Sequence, residues 1–200
     1  AIWEPGSKIQ RWSQIRQGWP NQPLRLYGAG ADSGTFDYFT EAIVGKAKAI
    51  RTDYQPTEDD HVTIKGAAGD TYAMGLLGYA YYEENKDKVK AVAIDHGKGC
   101  VLPSRETVLD GTYQPLSRPL FIYVNVKSLD RPEVQAFVDF YLSPAARRAI
   151  RSTGYVELPS EAYRIGQELV KRRKAGTFFM ELPAGTPLSK FIQELDKELR

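Results

Sequence analysis

The chain has 200 residues and carries 27 Lys and Arg against 25 Asp and Glu, a formal charge of +2. With 42% apolar and 26% charged residues, the balance excludes wholesale disorder, and a charge this small gives no electrostatic case for nucleic acid or an anionic membrane. One cysteine, Cys100, excludes a disulfide framework and a four-thiolate zinc site, and the densest apolar stretch, Pro119–Val126, falls far short of the roughly 20 residues of a membrane helix.

Length suits one large domain, or one and a half at about 150 residues each. Ala1–Pro5 lacks the basic and apolar regions of an export signal, so a signal is either already removed or lies in a longer precursor. Trp3, Trp12 and Trp19 sit among prolines around a short helical stretch, Lys8–Arg16. Pro23–Gly28 alternates and ends in glycine, the pattern of a short strand. Gly28–Thr35 is a glycine-rich turn, and Phe36, Phe39 and Ile43 then recur at helical spacing, so a helix begins near Ser33–Thr35. Tyr54–Asp60 reads as a loop, His61–Lys65 as a strand, and Asp70 as the cap of a short helix over Thr71–Leu77. Gly78–Tyr82 and Lys90–Ile94 read as further strands.

Ser104 caps a helix over Arg105–Leu109, and Arg118–Val126 gives the strongest strand signal of the chain. Pro132 opens a helix running to about Leu142, Pro144–Ser152 is a second that Gly154 ends, and Pro159–Lys174 is a third that Gly176 stops. Leu188, Phe191, Ile192, Leu195 and Leu199 form the apolar stripe of a last helix. Strands alternating with helices predict an α/β fold with a parallel or mixed sheet.

The richest chemistry lies in Ala31-Asp32-Ser33-Gly34-Thr35. A helix start presents backbone N–H groups without intrahelical partners and partial positive charge. Two hydroxyls and a glycine complete a turn able to wrap an oxyanion. For an isolated Ser-Gly-Thr, simple capping is the commoner role; Gly28 and Gly30 shift weight toward an anion site without reversing that. The turn is neither a Walker loop nor a dinucleotide fingerprint. Arg51 offers a bidentate fork, although composition alone prefers a surface arginine paired with Asp53 or Glu58, and Arg118 has the same ambiguity. Asp32 can accept a proton from a protonated oxyanion, and so favours hydrogen phosphate over fully ionised sulfate. His61 and His96 have no metal-ligand neighbours, and Cys100 has no local base. The Tyr79, Tyr81, Tyr82 group fits a half-buried strand, and Lys171–Lys174 a helix C-terminus. No cofactor, metal or catalytic residue is expected.

From Tyr27 through Glu41 the chain resembles the phosphate-binding proteins of bacterial phosphate ABC transporters. The resemblance extends to Ile2–Pro5, Arg51–Tyr54, Glu58–Asp60, Gly78–Asn85 and Gly111–Leu120. It implies a non-enzymatic, periplasmic-binding-protein-like lobe, a mixed sheet flanked by helices, with a C-terminal helical return segment. Residues 1–117 would form the phosphate-binding second lobe, and residues 118–200 a strand returning toward a first lobe plus helices.

The resemblance further implies inorganic phosphate as ligand, donated to by Ser33, Gly34 and Thr35, and the transporter's membrane subunits as partners. An exported, periplasmic or cell-envelope location goes with it. The arginine common four residues before the family's serine is Ala29 here, with Arg51 as substitute and Arg118 behind it; the aspartate common two before it is Ala31, with Asp32 one closer. Nothing matches the family's first-lobe turn and acceptor aspartate. The chain is therefore expected to hold half a site, to bind phosphate weakly alone, and to have a surface open to self-association or to an N-terminal lobe. The alternative is a hydrolase or transferase acting on a phosphorylated small molecule, with Asp32 and Asp37 as its only bases.

Overall fold

A computed structural model describes residues 1–176 and 182–200. They form two compact units, Ala1–Val92 and Ala93–Arg200. In the first, β1 (Arg25–Ala29) is the central strand of a parallel sheet, flanked by β2 (Gln55–Thr57) and β3 (Ala73–Leu76). Parallel neighbours need crossovers. The first passes through α1 (Gly34–Phe39), which runs on as a π-turn over Thr40–Val44, and the second through α2 (Asp60–Gly69).

Phe36 and Phe39 bury the inner face of α1, and the hydroxyl of Thr40 donates to the Phe36 carbonyl at 2.9 Å while accepting from the Lys48 amide at 2.7 Å. Gly45, at φ 85°, ends the turn in a conformation glycine adopts without penalty. Gly66 lets α2 close onto β1, since a Cβ there would lie 2.5 Å from the Tyr27 ring. Trp3 is buried edge-on against Phe39 and Tyr54, at 5.8 and 6.0 Å between ring centres.

The second unit opens with an antiparallel pair, β4 (Ile94–Asp95) and β5 (Cys100–Val101), whose turn is tied by Asp95 Oδ1 accepting from the Gly97 and Gly99 amides. Helices follow: α4 (Arg105–Leu109), α5 (Pro132–Tyr141), α6 (Pro144–Ser152), α7 (Ser160–Lys171) and α8 (Leu188–Lys197). Val138, Ala146, Ala162, Tyr163 and Ile165 are buried among them. The α/β expectation holds, with helices flanking a parallel sheet, and the antiparallel pair lies in the other unit.

Several expected elements change type. His61–Lys65 belongs to helix α2, because Asp59 accepts from the His61 amide at 2.9 Å as an N-cap and Asp60 follows in the first turn. The Val62/Ile64 alternation that suggested a strand is not used: Ile64 is buried while Val62 is half exposed. Asp70 then caps no helix. Its carboxylate accepts from the Tyr72 amide at 2.8 Å in an Asx turn, and the chain leaves it as β3.

Gly78–Tyr82 is not a strand either. Residues Tyr79–Glu83 form helix α3, where Tyr81 meets His61 edge-on and Tyr79 packs on Tyr82. The Tyr54–Asp60 loop contains β2, and of Lys90–Ile94 only Ile94 is strand. The Lys8–Arg16 stretch reduces to a 3-10 turn over Trp12–Gln14.

The largest departure is Arg118–Val126, in which residues 117–125 take no regular structure. A run this apolar suits a strand buried on both faces, and a strand exists only beside a hydrogen-bonded neighbour. No described strand borders it, and Leu120 and Tyr123 stand 57% and 71% exposed. No helix among the described residues is long and apolar enough to cross a membrane.

Candidate functional site

All three strands of the first sheet run the same way, so their carboxyl ends share one edge. Parallel sheets present ligand-binding loops at that edge. Three segments meet it: residues 30–35 after β1, Glu58–Asp60 after β2, and Leu77–Gly78 after β3. The Gly30 amide donates to Thr57 O at 3.0 Å and prolongs the ladder, and the Ser33 amide closes a turn on Gly30 O at 3.1 Å. Across the edge, Asp60 Oδ1 accepts from the Gly78 amide at 3.3 Å.

Ser33 is the N-cap of α1, its hydroxyl oxygen accepting from the Thr35 amide at 3.2 Å. The capping role is thus realised. It leaves the Ser33 O–H proton and the Thr35 hydroxyl to donate outward, because a hydroxyl accepts and donates at once. Gly34 between them is exposed, and Ser33 and Thr35 are half-buried. Hydroxyls and main-chain amides at a helix start can therefore address an anion from one side.

Asp32 is exposed on the same turn, its amide directed at Glu58 Oε1 over a long 3.4 Å. Glu58 carries part of the resemblance and is an optional partner for Arg51 in the sequence, but is not among the expected site residues. Its carboxylate lies against the main chain of Gly30, and a Cβ at that position would collide with it. Tyr54 braces the neighbouring strand by donating to Ala29 O at 3.0 Å, and burial first, then the Glu58 charge, raises its hydroxyl above the ordinary tyrosine value. The available signal was position: Glu58 follows β2 by one residue, as Gly30 follows β1.

Arg51 is buried and occupied elsewhere. Its Nε and Nη2 donate to the two Asp53 carboxylate oxygens at 2.6 and 2.8 Å, and Nη1 donates to Ile2 O and Ile9 O at 3.0 and 2.8 Å. Four of its five N–H donors are therefore engaged, two on Asp53 and two on closing the N-terminal segment over the unit. The pair shifts both partners in the expected senses, Arg51 upward and Asp53 below the usual carboxylate range, chiefly through the hydrogen bonds between them. The Asp53 pairing weighed from sequence is the one present. Arg118 lies in the irregular segment of the other unit.

Asp37 occupies the first turn of α1, with Oδ1 4.0 Å from Lys48 Nζ. Among the described residues no three His, Cys, Asp or Glu side chains gather at metal-binding distances. A cavity of about 560 Å³ lies at the other end of β1, lined by Arg25, Lys65 and Asp70, and Arg25 is paired with Asp70 at 2.8 Å.

Residues 6–145 match the family model described as the PBP superfamily domain. The chain is 49% identical over 197 residues to Protein SphX of Synechocystis sp., covering 94% of this chain and 58% of that protein. It is 34% identical to the phosphate-binding protein PstS of Staphylococcus haemolyticus, covering 78% of this chain and 49% of that one. A crystal structure described as a possible phosphate binding protein from Planctomyces limnophilus superposes with a TM-score of 0.72 at 43% identity, over 87% of this chain and 62% of that one. The chain spans about half to three-fifths of the length of these proteins. On the match over residues 6–145, the chain belongs to the PBP superfamily.

Proposed function

We propose that this chain carries part of the inorganic-phosphate site of a solute-binding component of a phosphate ABC transporter. Phosphate would rest on the turn Ser33-Gly34-Thr35, taking hydrogen bonds from the two hydroxyls and from amides at the start of α1. The observation that carries this reading is the position of that turn: a hydroxyl-capped helix start at the carboxyl edge of the central parallel strand. Relatives at 34% and 43% identity bear phosphate-binding descriptions.

Asp32 and Glu58 flank the turn with two carboxylates. A fully ionised anion meets repulsion there, whereas an anion bearing a proton can donate to a carboxylate oxygen. The ligand that fits is hydrogen phosphate. Arg51 contributes chiefly by fixing the N-terminal segment, with one N–H at most left for the anion.

We take residues 1–117 as the phosphate-side lobe and 118–200 as the return segment. A second lobe, or a second copy, supplies the opposing donors; delivery goes to the membrane subunits, and the location is the periplasm or cell envelope. The role is capture, not catalysis, as for relatives named as binding proteins. Titration calorimetry with phosphate on the chain and on Ser33→Ala/Thr35→Ala tests the reading. Heat present in the parent and absent in the variant is expected; equal heats in both overturn it.

A further inference from the structure

The second unit holds a cavity of about 470 Å³ lined by Arg105, Arg147, Arg148 and Arg151, with Glu157 as its acidic group and apolar wall from Leu109 and Leu158. Four guanidiniums against one carboxylate leave three positive charges around a single space. Like charges repel when brought together, and here Glu157, Ser160 and Tyr163 hold three of the four in place. Glu157 is buried and accepts from Arg105 through both carboxylate oxygens, with Arg151 Nη1 at 3.1 Å. Those bonds hold its carboxyl below the usual range.

Arg147 is oriented from two directions: Nη1 donates to Ser160 Oγ at 2.7 Å, and the guanidinium stacks over the Tyr163 ring at 5.2 Å. Arg148 is exposed and enters none of these pairs. The wall also includes the start of α7, where Pro159 supplies no side-chain cap. A guanidinium pre-oriented as that of Arg147 is loses little freedom on meeting a planar or tetrahedral oxyanion.

The volume falls within the range of small-molecule pockets and exceeds what one phosphate fills. The wall combines arginines with apolar side chains. We infer that this cavity binds an organic phosphate ester, its phosphoryl oxygens on Arg147 and Arg148 and its body on Leu109 and Leu158. The lining comes entirely from the second unit and includes no residue of the Ser33–Thr35 turn.

Either a soluble ester or a lipid headgroup presents this chemistry, and two probes distinguish them. Titration calorimetry with ADP, beside inorganic pyrophosphate as a body-less control, reports the soluble form. Flotation with phosphatidylglycerol vesicles against phosphatidylcholine vesicles reports the lipid. Binding of ADP more tightly than pyrophosphate, or of phosphatidylglycerol vesicles alone, is the expected result. Arg148→Glu should weaken it about tenfold or more, and Ser33→Ala/Thr35→Ala should leave it unchanged. Because Arg148 is exposed, its variant keeps the fold, which circular dichroism checks. Failure of both probes, pyrophosphate matching ADP, or indifference to Arg148→Glu overturns the inference.

Discussion

The two proposed anion sites are built by opposite means. The turn at Ser33–Thr35 offers hydroxyls and main-chain amides, with the carboxylates of Asp32 and Glu58 beside it. The cavity at Arg105–Arg151 offers fixed cations, partly neutralised by Glu157. Neutral donors reward a ligand by the number and direction of its hydrogen bonds, and adjacent carboxylates penalise one with no proton to give. Cations reward charge itself. The first arrangement selects, the second attracts.

Removing the turn's hydroxyls tests this contrast most severely. Ser33→Ala/Thr35→Ala should lower phosphate affinity at least about a hundredfold, since two hydrogen bonds to a charged group are worth about 1.5–3 kcal/mol each. Loss of the cap should also cost about 1 kcal/mol of stability, so affinity is read by calorimetry and stability by denaturant. The isolated chain should itself bind weakly, and a sub-micromolar dissociation constant would show that one surface suffices. Salt gives the next test. Raising ionic strength from about 0.05 to 0.3 M should weaken ADP at the arginines severalfold and phosphate at the turn much less, because exposed charges are screened first.

Glycine replacements sharpen the comparison within the first unit. At Gly66 a methyl group meets the Tyr27 ring, which is packed in place, so Gly66→Ala should cost about 1–3 kcal/mol. At Gly30 it meets Glu58, an exposed side chain that can swing aside, so Gly30→Ala should cost well under about 1 kcal/mol while displacing a carboxylate from the turn. Phosphate binding in Gly30→Ala should then discriminate less against sulfate, measured by competition.

The smallest effect concerns pH. Glu157 has its folded-state pKa lowered, mainly by hydrogen bonds from Arg105. Its stabilisation is complete above the ordinary glutamate value of about 4.3 and is lost as pH falls through the lower folded value. Thermal melts between about pH 6 and 3 should fall more steeply for the parent than for Glu157→Gln.

Where local chemistry decides an element, the sequence was legible. Ser33, Ser104, Pro132 and Pro144 marked helix starts that the structure keeps, and the unit of strand, glycine turn and helix start was plain in residues 23–39. Val62/Ile64 alternates, but a period is weak beside a cap such as Asp59, and the tyrosines of Gly78–Tyr82 suit helix α3 as well as a strand. Arg118–Val126 failed because a strand is a property of two segments, and its apolar content spoke for only one. Of the proposed site, Ser33 and Thr35 are suggested by their chemistry, whereas Glu58 was hidden because only the parallel pairing of β1 and β2 brings residues 30 and 58 together.

The clasp made by Arg51 touches Ile2 and Ile9 only through their carbonyl oxygens. Such a contact monitors the course of the backbone and ignores the identity of the side chains on it. Residues 2 and 9 can therefore vary among descendants of this gene without loosening the knot, whereas no other amino acid can stand in for the guanidinium that ties it.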